Sequence, residues 1–163
     1  MEQLTLSVMT REMCHELYRD WQNDPALFPD PSLFRPYHYV PEQVDRYFDS
    51  KQQPNRVLFA ILQSGRPIGE VHLKNIDPER LECTLSIHMQ NDSVKGQGYG
   101  TRAERLAVAY AFRKLGMESV LADTVLSNVR SQHILEKIGF RPVREADGFR
   151  YYRLSKTDFV CPD

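Results

Sequence analysis

Lys95-Gly96-Gln97-Gly98-Tyr99-Gly100-Thr101 is the stretch on which the reading of this chain turns. It lies between a strand-like segment and the strongest helical pattern in the sequence. Three glycines on alternate residues free the backbone, so successive N–H groups can turn into one concavity. The segment opens a helix, whose first N–H groups lack partners and carry the positive end of the dipole. Together these features make a cradle for a pyrophosphate. A dinucleotide fingerprint of the Gly-x-Gly-x-x-Gly type fails here, because its third glycine falls on Thr101. A P-loop fails as well, since no Gly-Lys-Ser/Thr follows the glycines.

Beyond the cradle, Ala103, Leu106, Ala107, Tyr110 and Ala111 recur at helical spacing, which predicts one buried stripe. Arg113, Lys114 and Gly116 supply its stop. Residues 119–126 read as a strand. Asn128 suits the N-cap of a further helix that carries Ile134, Leu135 and Ile138 and closes at Gly139. Residues 140–143 and 149–154 read as a final strand pair. Before the cradle, residues 81–89 alternate as a strand, with Leu85, Ile87 and Met89 set against Thr84, Ser86 and His88. Residues 56–62 and 67–74 read as a hairpin around Ser64-Gly65-Arg66. An amphipathic helix is expected over residues 10–21. Residues 25–41 hold five prolines with Phe28, Phe34, Tyr37 and Tyr39, which predicts an ordered aromatic loop rather than a helix. Pro41 suits the first turn of a short helix running through Val44 and Phe48. No repeat or linker interrupts the order, so the 163 residues read as a single domain of mixed α/β class.

The composition, 41% hydrophobic and 26% charged, is that of an ordinary globular protein able to bury a core. A net charge of −1 gives no reason to expect nucleic acid or an anionic membrane as partner. Cys14, Cys83 and Cys161 are odd in number and widely spaced, so neither a disulfide framework nor a metal site is expected. Residues 1–10 lack a basic stretch followed by an apolar one, and no run nears the ~18 apolar residues of a membrane span. A cytoplasmic protein is expected. Local charge is more informative. Between Lys95 and Lys114, five basic residues face Glu104 alone, a net +4 that suits a phosphate-bearing ligand. Between Asp20 and Ser50, six acids face Arg35 and Arg46, a net −4 that suits a cationic one.

Leu85-Ser86-Ile87-His88-Met89, the glycine segment, Asn128 and Leu135-Glu136-Lys137-Ile138-Gly139-Phe140, in that order, resemble the GNAT superfamily of N-acetyltransferases. Within it the chain looks most like the branch that includes ribosomal-protein N-terminal acetyltransferases. The resemblance covers roughly residues 58–154. It implies a mixed, mostly antiparallel sheet splayed at two parallel strands, with about four helices and acetyl-CoA as co-substrate. It also implies backbone pairing of the pantetheine arm with Ile87, His88 and Met89. The amides of Lys95, Gly96, Gln97, Gly98, Tyr99 and Gly100 would hold the pyrophosphate, with a hydroxyl from Thr101. Asn128 would contact the coenzyme near the thioester or the pantetheine. A homodimer is common among similar proteins.

Two positions depart from the family pattern. Lys95 stands where arginine or glutamine is usual, which keeps the charge and loses the planar fork. Leu135 stands where many members carry a tyrosine thought to protonate the departing thiolate. A thiol with pKa ~8.5 leaves as thiolate at a penalty of roughly 2 kcal/mol at neutral pH, which is small. Water, or one of Tyr99, Tyr151 and Tyr152, could supply the proton instead.

The implied reaction is transfer of an acetyl group from a thioester to a neutral amine, with the Met89 N–H as donor to the developing oxyanion. A base near the amine assists. Asp123 is the first candidate, because it lies five residues before Asn128, where ribosomal-protein acetyltransferases of this type carry a glutamate. His88 and Glu82 follow, sharing one face of the strand that would line the cleft. Glu70 and His72 share a face of the preceding strand. Acceptor selection is expected from the acidic, aromatic residues 24–49. A domain that binds acetyl-CoA and has lost catalysis is the alternative in another functional class.

Overall fold

The computed structural model of the chain describes residues 3–161. Among these residues, seven strands are formed: β1 (Leu4–Val8), β2 (Val57–Gln63), β3 (Arg66–Asp77), β4 (Glu82–Met89), β5 (Ser119–Val125), β6 (Arg141–Ala146) and β7 (Phe149–Ser155). They make one sheet in the order β1-β2-β3-β4-β5-β7-β6, antiparallel throughout except between β4 and β5. Parallel neighbours cannot be joined by a hairpin, so the chain crosses over through α3 (Tyr99–Arg113). The glycine segment feeds that crossover. The other helices are α1 (Arg11–Arg19), α2 (Pro41–Ser50) and α4 (Val129–Ile138). This is the expected α/β class, a mixed sheet with one parallel pair.

Alternation along β2 shows how the layers form. Phe59 and Ile61 point to one face and pack with Ala103, Ala107 and Ala111 of α3. Leu58 and Ala60 point to the other and pack with Cys14 and Leu17 of α1 and Val44 of α2. Helices therefore cover both faces of the sheet. On α3 the fully buried stripe is Ala103, Glu104, Ala107, Val108, Ala111 and Phe112. Leu106 and Tyr110 were expected in that stripe and lie at its edge, with Tyr110 edge-on to Phe59 at 5.0 Å. The small alanines let the helix backbone settle close to the sheet, which swings the bulkier residues outward.

Local chemistry fixes the element ends. Thr10 caps α1 by accepting the Met13 N–H at 3.1 Å, and Pro41 occupies the first turn of α2. The proline-rich loop contains two short 3₁₀ turns, Pro25–Leu27 and Pro31–Leu33, capped by Asp24 and Asp30. β1 was not anticipated, although Leu4, Leu6 and Val8 alternate with Thr5 and Ser7 as an edge strand should. Among the described residues, no helix is long and apolar enough to cross a membrane.

Candidate active site

β4 and β5 pair over only three residues each, Glu82–Thr84 against Ser119–Leu121. Beyond that point both strands continue without bonding to each other, so the sheet opens into a wedge. A cavity of about 1060 Å³ occupies the wedge and continues across the sheet toward α1 and α2. Ile87 and Met89 of β4 line it, together with Gly96, Gly98, Gly100, Thr101 and Asn128.

The glycine segment shapes one end. Gly98 sits at φ +82° as the cap of α3, a conformation L side chains rarely adopt, and a Cβ there would meet no protein atom within 4 Å. Its space is open toward the cavity, as an anion cradle requires. Asn128 caps α4 by accepting the Ser131 N–H at 3.2 Å, which fixes that helix start beside the cradle. Lys95 is less available than the sequence suggests. Its ammonium bonds Asp24 at 2.8 Å and Asp92 at 3.1 Å. Burial pushes the Asp24 carboxyl up, but the Lys95 ammonium and the Ala26 amide more than offset this and hold it low. The Arg130 guanidinium lies over the segment, 3.5 Å from where a Gly96 Cβ would stand. Arg130 and His133 both line the cavity and were missed in the sequence reading. Their signal was the position of Arg130, two residues after the helix cap.

The other residues expected at the coenzyme divide in two. Ile87, His88, Met89, Lys95, Gly96, Gly98, Gly100, Thr101 and Asn128 line the cavity. The side chains of Gln97 and Tyr99 do not. Gln97 bonds the Ser93 carbonyl, and Tyr99 is buried under the sheet with its hydroxyl accepting from Gln63 at 2.8 Å.

The three expected bases separate as well. His88 lines the cavity, 3.3 Å from the Ser86 hydroxyl, and burial lowers its pKa so that the imidazole is neutral at pH 7. Asp123 lies opposite Tyr151 of β7, exposed and off the cavity wall. Glu82 is also off the wall, at the paired end of β4, where Arg153 bonds it at 2.8 Å. Neither side chain reaches the cavity wall.

On the α1 and α2 side the cavity ends in a chamber built around Glu70, which is 2% exposed. Tyr18 and Tyr47 donate to its Oε1 at 2.7 and 2.8 Å. Arg56 donates to His72 Nδ1 at 2.8 Å. A guanidinium has no acceptor, so Nδ1 carries the lone pair and Nε2 the proton, which points to Tyr47 and to Glu70 Oε1 at 3.2 and 3.4 Å. Burial drives the Glu70 carboxyl up, yet the His72, Tyr18 and Tyr47 donors outweigh it and hold the group below its ordinary range as a carboxylate. Among the described residues its Oε2 is buried without a hydrogen-bond partner. Trp21, stacked on Tyr18 at 4.6 Å, joins Phe28, Tyr37 and Tyr47 around the chamber. A buried anion among aromatic faces is a setting for a cation.

The acids expected to select the acceptor are mostly engaged elsewhere. Asp45 and Asp49 pair with Arg11, Asp45 also meets His15 at 2.8 Å, and Asp24 and Asp30 serve as caps. The aromatic residues Phe28, Tyr37 and Tyr47 of that segment do line the cavity, and the buried carboxylate beside them comes from β3.

Residues 3–141 match the model of the acetyltransferase (GNAT) domain. The chain belongs to the GNAT acetyltransferases. A probable N-acetyltransferase of Bacillus subtilis, YjcK, is 29% identical over 101 residues, 61% of this chain and 56% of that protein. The aligned region thus spans little more than half of that relative. Among solved structures, the fold superimposes on spermidine N-acetyltransferase from Vibrio cholerae in complex with CoA and spermine, with a TM-score of 0.76 at 18% identity, covering 96% of this chain and 97% of that one. It matches a probable acetyltransferase at TM-score 0.76 and 20% identity, covering 96% and 94%. A domain from Methanocaldococcus jannaschii gives 0.75 at 16% identity, covering 95% and 99%. These superpositions show a shared fold.

Proposed function

We propose that the chain is an N-acetyltransferase that moves the acetyl group of acetyl-CoA to a primary amine by direct attack on the thioester. The observation carrying this reading is one continuous cavity, with an amide cradle at one end and a buried carboxylate among aromatic rings at the other. Bound acetyl-CoA supplies an acyl group already activated as a thioester. The amides of residues 95–100 hold its pyrophosphate, with Arg130 adding charge that Lys95 shares with Asp24. The backbone of Ile87, His88 and Met89, unpaired along the wedge, holds the arm, and Asn128 lies beside it. The Met89 N–H donates to the carbonyl oxygen as negative charge gathers there.

Glu70 receives the acceptor while it is still an ammonium, because an anion of low pKa favours the charged form. His88, neutral and lining the same cavity, takes the proton before attack. An α-amine with pKa ~7.8 yields that proton more readily than an alkyl amine near ~10.4. The branch resembling ribosomal-protein acetyltransferases would present such an α-amine. A polyamine, as in the name of the Vibrio cholerae enzyme, presents a primary amine with further positive charge. Both fit a site that takes cationic amines. As in similar proteins, a homodimer is part of the proposal.

Thiol release from acetyl-CoA, followed with a panel of free-N-terminal peptides, spermidine, amino acids and aminoglycosides, tests the reading. Turnover is expected with at least one cationic amine, falling ~10²-fold or more in His88→Gln. Binding of acetyl-CoA without turnover on any amine would replace this function with a coenzyme-sensing one.

A further inference from the structure

Glu104 is the one acid on α3, and it is 2% exposed. A carboxyl so placed is normally paired, yet its Oε2 has no hydrogen-bond partner among the described residues. The group nevertheless lines the cavity. Gly100, Thr101 and Glu104 form one stripe on the helix at i, i+1 and i+4, all facing the wedge. The next turn of the same stripe, Ala107 and Val108, is fully buried in the core. Glu104 is therefore the innermost point at which α3 meets the cavity. It lies about 7.5 Å along the helix axis from Tyr99, the first residue of α3. Across the wedge stand Ile87 and Met89 of β4 and Ile134 of α4, which offer its side chain no polar partner.

We propose that Glu104 is a coenzyme-binding residue whose carboxyl hydrogen-bonds an amide of the pantetheine arm. This rests on the acetyl-CoA reading above and extends it from backbone contacts to a side chain. The arm leaves a pyrophosphate held at the start of α3 and must pass the second turn of that helix on its way along β4. Its amides are the polar groups that a ligand of this class brings to that depth. A backbone edge on β4 and a carboxyl on α3 then grip the arm from opposite sides.

The protonation state follows from the setting. Burial alone pushes the Glu104 carboxyl up to about 8, so at neutral pH it is mostly an acid with an O–H to donate. Neighbouring elements supply few competing charges. β1 has no titratable residue, and the residues of β3 and β5 on this face are apolar apart from Thr124. β4 contributes Cys83, whose thiol burial holds protonated up to about 12. α4 contributes Arg130 and His133 at the cavity wall, and the loop contributes the Lys95–Asp24 pair. Ionised Glu104 would lose its donor and repel the pyrophosphate, so binding weakens as pH rises through about 8.

Calorimetric titration with acetyl-CoA at pH 7 and pH 9 tests this on the intact chain, Glu104→Gln and Glu104→Leu. Acetyl-CoA is the right probe because it has no free thiol, and its phosphate titrates below this window. The intact chain should bind roughly 10-fold more weakly at pH 9 than at pH 7. Glu104→Gln keeps a donor, should match the intact chain at pH 7 within ~3-fold, and should lose the pH dependence. Glu104→Leu should bind about 10-fold more weakly at pH 7 while melting no lower than the parent, because it removes an unpaired buried carboxyl. Equal affinity of all three at both pH values, or the same alkaline loss in Glu104→Gln, would overturn the role of Glu104 alone. Absence of acetyl-CoA binding by the intact chain would overturn it together with the acetyltransferase reading.

Discussion

The two ends of the cavity are built by different means. The glycine end is made of contiguous backbone: a strand edge, an amide cradle and a helix start within residues 87–101, joined by the cap at Asn128. The carboxylate end is made of side chains from four elements far apart in sequence. Tyr18 comes from α1, Tyr47 from α2, Arg56 from the approach to β2, and Glu70 and His72 from β3. A backbone site needs conformations that few residues can adopt, whereas a side-chain site needs a tertiary fold to bring its groups together. Apart from Glu104, the first should tolerate changes of side chain and fail on changes of backbone freedom. The second should do the reverse.

The largest expected effect breaks the glycine end by itself. Gly98→Asp places a side chain at φ +82° and a negative charge at the cradle, and acetyl-CoA affinity should fall at least ~100-fold, about 2.7 kcal/mol. The circular dichroism spectrum and the fluorescence of Trp21 should not change, since a Cβ at Gly98 meets no protein atom within 4 Å. Gly69→Ala probes what the two ends share. A Cβ at Gly69 would stand 2.9 Å from the His88 carbonyl oxygen, so β3 and β4 must move apart. A loss of about 2 kcal/mol is expected by chemical denaturation, with weaker acetyl-CoA binding and a raised acceptor KM together.

Glu70→Gln should affect only the carboxylate end, raising the acceptor KM about 10-fold. It also changes the acid limb of stability. Glu70 titrates below its ordinary range in the folded chain, so its carboxylate stabilises above the unfolded value near ~4.3, and this contribution is lost as pH falls through the folded value. Melting temperature followed from pH 7 to pH 3 should therefore decline less steeply in Glu70→Gln. The smallest effect belongs to Asp123→Asn. That carboxylate is exposed and off the cavity wall, so kcat and both KM values should stay within about 2-fold of the parent.

The same contrast explains what could be read in the sequence. The strand, cradle and helix are local patterns, and six of the seven strands and all four helices fell close to where spacing and caps placed them. Gly98 could be recognised because its role is conformational. The chamber could not be assembled in advance. Glu70 and His72 shared a strand face on paper, but nothing in residues 66–77 says that two tyrosines and an arginine arrive from three other elements. Charge counting misled for a related reason. Most acids of residues 20–50 became caps or ion pairs with Arg11, His15 and Lys95, and only the tertiary structure decides which acid is left facing a cavity. Glu104 shows the same limit, since a lone acid within a net-positive helix looks like surface until its burial is seen.

The central claim is that one cavity serves two ligands through two independent ends. It is tested most directly by titrating acetyl-CoA into the intact chain and into Glu70→Gln at pH 7. Micromolar binding with the same Kd in both, accompanied by the raised acceptor KM in the variant, is the predicted result. A Kd that shifts more than about 5-fold in Glu70→Gln, or no binding by the intact chain, would contradict it.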